Sequence, residues 1–101
     1  MNKTRRKELT DVINGLNEMQ DKDDLYSWIN DLENIKDDEE YYYDNIPENL
    51  QSSQRACDSE EAIDNLNEAI SILNDAYDEE DINDAIKMIP EAIEYIERAQ
   101  V

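Results

Sequence analysis

A chain of 101 residues fits one compact domain, and its 28 Asp and Glu against nine Lys and Arg give a formal net charge of -19. That balance excludes direct binding to DNA, RNA or an anionic membrane surface, since each demands a basic face. It points instead to a basic protein or a cation as partner. With no histidine, imidazole acid–base chemistry and imidazole metal ligation are absent, and the single cysteine, Cys57, excludes an intrachain disulfide, which fits a reducing cytoplasm.

Lys3, Arg5, Arg6 and Lys7 open the chain as a short basic arm, leaving five bases against 28 acids from Glu8 onward. No apolar segment follows the arm, so it does not read as a signal peptide. It is expected to lie against acidic helices. No apolar run approaches membrane-spanning length. Mean hydropathy is low, but 39% of the residues are hydrophobic and only one Gly and two Pro interrupt them. The apolar residues fall at helical spacing, which argues for a folded chain rather than a disordered one.

The first stripe is Leu9, Val12, Ile13, Leu16 and Met19, with Gly15 inside it as the mark of a close helix crossing. The run Gln20 to Asp24 interrupts this stripe, and Asp21 with Asp24 three residues on makes an acceptable helix start. A second stripe follows at Leu25, Trp28, Ile29, Leu32 and Ile35. Trp28 belongs to it and is expected in the core or at a dimer interface. Tyr42, Tyr43 and Ile46 extend the apolar face. Pro47 then forces the chain out of helical geometry, placing a turn near Asn45 to Leu50 with Leu50 as its anchor.

Asp58, followed by Glu61, reads as the start of the C-terminal half. Its stripe is Ala62, Ile63, Leu66, Ala69, Ile70, Leu73, Ala76 and Tyr77. The acids from Asp78 to Asp81 break the phase, with Asp78 as a candidate cap. The last stripe is Ala85, Ile86, Ile89, Ala92, Ile93, Ile96 and Ala99. Residues 61–76 and 84–99 align without gaps at an offset of 23, pairing small with small and large with large. Pro90 replaces Asn67 in the second copy and is expected to kink or start a helix.

The sequence thus predicts an all-α single domain, 1–101. It has an N-terminal helical arm over 3–46, a turn region over 47–58 and a C-terminal arm over 59–99 that carries the repeat. A helical hairpin or small bundle is the expected architecture. Apolar stripe left over on long arms makes a homodimer the expected state.

Catalysis is not expected. Cys57 has no histidine to activate it and reads as a buried or half-buried small apolar residue. Carboxylate pairs are too numerous to single one out, and thin helical arms rarely form the cleft an acid–base pair needs. The only glycine lies outside any acidic loop, so no EF-hand exists. No phosphate-binding glycine loop is present. No cofactor and no specific metal site are expected.

The acidic faces are the candidate binding surface. One cluster comprises Asp37, Asp38, Glu39, Glu40 and Asp44. Glu60, Glu61, Asp64 and Glu68 line the third segment, and Asp78, Glu79, Glu80 and Asp81 precede the fourth. Carboxylates at helical spacing repeat about every 5–6 Å, against about 3.4 Å for phosphates along one strand. Rigid rows of them suit a cationic groove built for nucleic acid. A solvated face is the plainer reading, but a net charge of about 2–8 in magnitude already keeps a small domain soluble. Tyr41, Tyr42 and Tyr43 cannot share one helix face, so at least one is expected exposed as a partner contact.

The stretch Glu39 to Tyr43, then Asn45 to Gln51 with Ser53, then the repeated phrases of Glu61 to Ile70 resembles small acidic helical proteins of phages and prophages of Gram-positive bacteria. The resemblance spans roughly Glu39 to Ala76. It implies a phage protein acting in the cytoplasm of a bacterial host. By analogy it suggests inhibition of a basic, nucleic-acid-handling or defence protein, as anti-restriction and anti-CRISPR proteins do. The alternative is a phage structural, scaffolding or assembly-adaptor protein that binds through exposed aromatic and apolar patches around Tyr41 to Ile46.

Overall fold

The computed structural model describes residues 1–100, which form four α-helices: α1 (Lys3–Glu18), α2 (Lys22–Asp44), α3 (Gln54–Tyr77) and α4 (Ile82–Ala99). A single 3₁₀ turn, Glu48–Leu50, lies between α2 and α3. Each helix packs against the next in the chain, and α1 also meets α4, closing a four-helix bundle. At 49 × 21 × 18 Å it is a rod. Its basal end carries the start of α1, the end of α2 and the start of α3. Its apical end carries the α1–α2 and α3–α4 turns.

The stripes are heptads. On α3 Ser59, Ala62, Leu66, Ala69, Leu73 and Ala76 alternate at three and four residues, and all are buried. On α4 Ala85, Ile89, Ala92, Ile96 and Ala99 do the same. That spacing keeps one seam facing its partner along the whole helix. The alanines have almost no side chain to separate the backbones, so α3 and α4 lie closest of all the pairs. The repeat units of the sequence are therefore the two helices of one hairpin. The larger residues that flank the seam fare unequally: Ile70 and Ile93 are buried, Ile63 is half-buried and Ile86 is exposed.

Each helix starts on a side-chain cap. Asn2 accepts from the Arg5 amide at 2.8 Å, Asp21 from Asp24 at 2.9 Å, Ser53 from Ala56 at 3.2 Å and Asp81 from Asn83 at 2.9 Å. Each satisfies one of the amides a helix start leaves unpaired, typically for about 1 kcal/mol. Asp21 is the cap that the sequence predicts. Two other expected starts are corrected. Asp58 lies inside α3, because Ser53 offers a hydroxyl five residues earlier. Asp78 ends α3, and Asp81 caps α4 instead. The turn region accordingly shrinks from 47–58 to 45–53.

Both expected arms are broken hairpins. The chain reverses around Met19–Asp21, and again between Tyr77 and Ile82. The stripes that motivated a dimer consequently face one another inside a single chain. Pro90 neither starts nor ends a helix: α4 runs through it, with the ring on the exposed side. Gly15 does mark a close approach, for a methyl there would overlap the Trp28 indole of α2. Trp28 is half-buried against the core. No helix among the described residues is long and apolar enough to cross a membrane.

Candidate functional site

Burial of one seam per helix turns the remaining faces outward, and these carry the acids. Of the thirteen predicted acidic site residues, Asp37, Asp38, Asp44, Glu60, Glu61, Asp64, Glu68, Asp78, Glu80 and Asp81 are exposed, and Glu40 and Glu79 are half-buried. They do not form one cluster. Asp37, Glu40 and Asp44 share a face of α2 by their spacing of three and four, and Glu61, Asp64 and Glu68 share one of α3. Asp78 to Asp81 sit at the apical turn, where Glu80 and Asp81 stand beside Asp21 of the first turn. Few bases offset them: Lys36 Nζ lies 3.8 Å from Asp37 and 3.7 Å from Glu40. The Asp81 carboxylate is also the cap of α4, so it serves the fold.

Glu39 is the correction. It is fully buried and cannot present its carboxylate to a partner. One oxygen accepts from Arg5 Nε at 2.6 Å and the other from Ser59 Oγ at 3.0 Å, with the Met1 amine 3.8 Å away. Arg5 thus brings the basic arm to an acidic helix, as expected, but by a buried ion pair that pins α1 to α2. Ser59, a residue the sequence reading passed over, completes the link to α3. A signal for both exists: Glu39 falls seven residues after Leu32 and fourteen after Leu25, and Ser59 seven before Leu66. Both occupy seam positions.

The three tyrosines diverge as their 100° steps require. Tyr41 is 74% exposed, whereas Tyr42 and Tyr43 are half-buried. Tyr42 lies beneath the Arg5 guanidinium, 5.4 Å from it, in cation–π geometry. Tyr43 faces α3, where the charge of Glu60, then partial burial and neighbouring Cys57, hold its hydroxyl above the ordinary tyrosine range. It therefore stays a neutral donor toward Glu60. Cys57 itself is exposed rather than buried. Leu50 does not anchor the turn either, being 48% exposed. That task falls to buried Ile46 and to Gln51, whose side-chain amide donates to the Ile46 carbonyl at 2.8 Å.

Between Tyr41 and Leu50 runs an open groove of about 720 Å³, floored by Tyr42, Ile46 and Pro47. Arg5, Arg55 and Asp38 stand at its edge. No group of three or more Cys, Asp or Glu side chains among the described residues is arranged to hold a metal ion. Comparison with protein-family models, curated proteins and solved structures gives no match.

Proposed function

We propose that this chain is a phage-encoded nucleic-acid mimic that occupies the cationic groove of a basic host nucleic-acid-handling or defence protein and inhibits it. In this reading it catalyses nothing and acts by being bound. The observation that carries the reading is the outward placement of the acids along a narrow rod. A duplex 49 Å long carries about 29 charges at one per ~1.7 Å; this rod is 49 Å long and bears a formal -19. Its linear charge density is thus about two thirds that of DNA.

Asp21 and Asp81 serve the fold as N-caps, but part of the charge is placed against its interest. Asp44 ends α2 and Asp78 ends α3, at the negative pole of each helix dipole. A cation there contributes about 0.3–1 kcal/mol, and a carboxylate forgoes that and adds repulsion. A surface shaped only for solubility has no need of acids at those positions.

The test is capture of partners from bacterial lysate at low and high salt, followed by competition with duplex DNA or RNA. A basic nucleic-acid-handling protein should be retained at low salt, released at high salt and displaced by the nucleic acid. Neutralising Asp37, Glu40 and Asp44 together, or Glu61, Asp64 and Glu68 together, should weaken that association by about tenfold or more in at least one set. Full binding by both variants would remove the reading.

A further inference from the structure

A groove of about 520 Å³ runs between α1 and α2. Buried Val12 and Ile35 form its floor, and Trp28 stands at its apical end. Glu8 and Asp11 line the α1 side and Asp31 the α2 side, and no basic side chain lines it. Glu8 and Asp31 have no hydrogen-bond or ion-pair partner among the described residues. Asp11 meets only Lys7, at 3.7 Å, in a pair exposed on both sides where water competes for it. The basal depressions match their arginines with Asp38, Asp58 and Glu39, and the apical one sets Lys22 among its acids. In the α1–α2 groove the charge has one sign. Acids alone are common on this rod, but the indole is not. Gly15 lacks the Cβ that would overlap Cε2 and Cζ2 of Trp28, so the ring is seated on the α1 backbone while staying half-buried. Indole attracts cations to its face more strongly than the other aromatic rings. Tyr42, Tyr77 and Tyr95 already carry Arg5, Lys22 and Arg98 at 5.0–5.6 Å, whereas Trp28 carries no cation among the described residues.

We propose that this groove receives an arginine side chain of the basic partner, an inference that rests on the mimicry reading and gives it a specific contact. The guanidinium lies against the Trp28 indole and donates to Asp31 and Glu8, and its methylene stem lies over Val12 and Ile35. Arginine suits the groove better than lysine does. Its planar fork stacks on a ring and presents donors to two carboxylates at once, whereas the lysine ammonium is a compact, strongly hydrated point charge. The apolar floor takes the stem that a long basic side chain buries while its charged head stays wet. The volume falls in the range of small-ligand sites, about 300–1,000 Å³, which admits one side chain and its flanking backbone rather than a whole helix. Charge argues against the other occupants. A phosphate or an acidic segment meets three carboxylates and no base. A purely apolar segment would cover Glu8 and Asp31 without giving them a partner, at the cost of their desolvation.

The test uses two short peptides of equal charge, one with arginines and one with lysines among glycine and serine. Each is titrated into the full chain at about 0.15 M salt. Calorimetry reads affinity, and fluorescence reads Trp28, the one tryptophan of the chain. The arginine peptide should shift the Trp28 emission saturably and bind about fivefold more tightly than the lysine peptide. Glu8→Gln with Asp31→Asn, checked for unchanged helicity, should weaken it about tenfold and erase the preference. Removing the same charge from α3, by Asp64→Asn with Glu68→Gln, should change it less than about twofold. Absence of binding, unchanged emission or equal affinity for the two peptides overturns the proposal. Equal loss from the two double variants would show attraction to the acidic body alone and would also overturn it. A dimer of the chain by itself, seen in sedimentation and lost with Glu8→Gln and Asp31→Asn, would make a second copy the occupant and end the proposal. The two readings fail separately. Partner capture from lysate that survives Glu8→Gln with Asp31→Asn but not loss of the α2 or α3 acids removes this site and leaves mimicry standing. Arginine binding here, with no captured partner that nucleic acid displaces, removes mimicry and leaves the site.

Discussion

Glu39 shows what a single side chain decides in this fold. It stands in a row of carboxylates, yet the backbone aims it down the seam, where a bare charge would cost several kcal/mol. Arg5 Nε at 2.6 Å and Ser59 Oγ at 3.0 Å make its burial tolerable and join three helices at one point. Removing one partner of such a pair typically costs about 3–5 kcal/mol, because the other charge stays buried. That is a large part of a total stability of about 5–15 kcal/mol. Arg5→Ala is therefore expected to lower the unfolding free energy by about 3 kcal/mol, read from urea denaturation followed by circular dichroism at equilibrium. Replacing the pair together, Arg5→Met with Glu39→Leu, should recover most of that loss. A loss under about 1 kcal/mol for Arg5→Ala would mean that water reaches Glu39 and the pair is effectively a surface one. Composition hides this residue, since carboxylates are almost never fully buried unless paired. Only the seven-residue step from Leu32 exposes it.

At the scale of the helix, regular patterns were legible and competing punctuation was not. The alternation of Ala with Leu or Ile over 62–76 and 85–99 dictates two helices that meet along an alanine seam, and the structure has them. Helix starts were ambiguous where several capping residues lie close together. Ser53 and Asp58 both suit α3, and the earlier one wins because Ala56 and Ser59 have seam positions to fill in between. Pro90 starts no helix, because a proline ring on the exposed side deletes one hydrogen bond without meeting a neighbouring helix. Gly15 gave the clearest local signal, and it makes a direct prediction. Ala at that position gains about 1 kcal/mol of helix propensity but drives a methyl into the Trp28 indole, and overpacking costs about 1–3 kcal/mol. The indole is half-buried, so it is expected to swing outward. Gly15→Ala should therefore be mildly destabilised. Its fluorescence, which reports Trp28 alone because the chain has no other tryptophan, should shift to the red. A stabilised variant with unchanged emission would show that the two helices separate freely there.

The whole molecule balances a well-patterned core against its own charge. The candidate surface was legible as composition, but its division into separate faces was not, because the reversals at Met19–Asp21 and Asp78–Asp81 decide which acids become neighbours. The basal groove was equally hidden: Arg5 and Arg55 are fifty residues apart, and only the packing of α1 on α2 and of α2 on α3 brings both to its edge. A rod bearing -19 stores repulsion that unfolding relieves. Salt screens it, with a Debye length falling from about 30 Å at 0.01 M to ~10 Å at 0.1 M. Relief of about 1–2 kcal/mol corresponds to roughly 5–15 °C in a domain of this size. Thermal melts followed by circular dichroism should therefore show Tm rising by at least about 5 °C between those two salt concentrations. The rise should then flatten, because screening saturates once the Debye length is shorter than the spacing of the charges. A rise that only begins at high salt would instead reflect exclusion of the salt from the protein surface. A flat Tm at low salt would mean that the helices hold their acids far enough apart to cost nothing, and the case for a charge kept at the expense of stability would lose its footing.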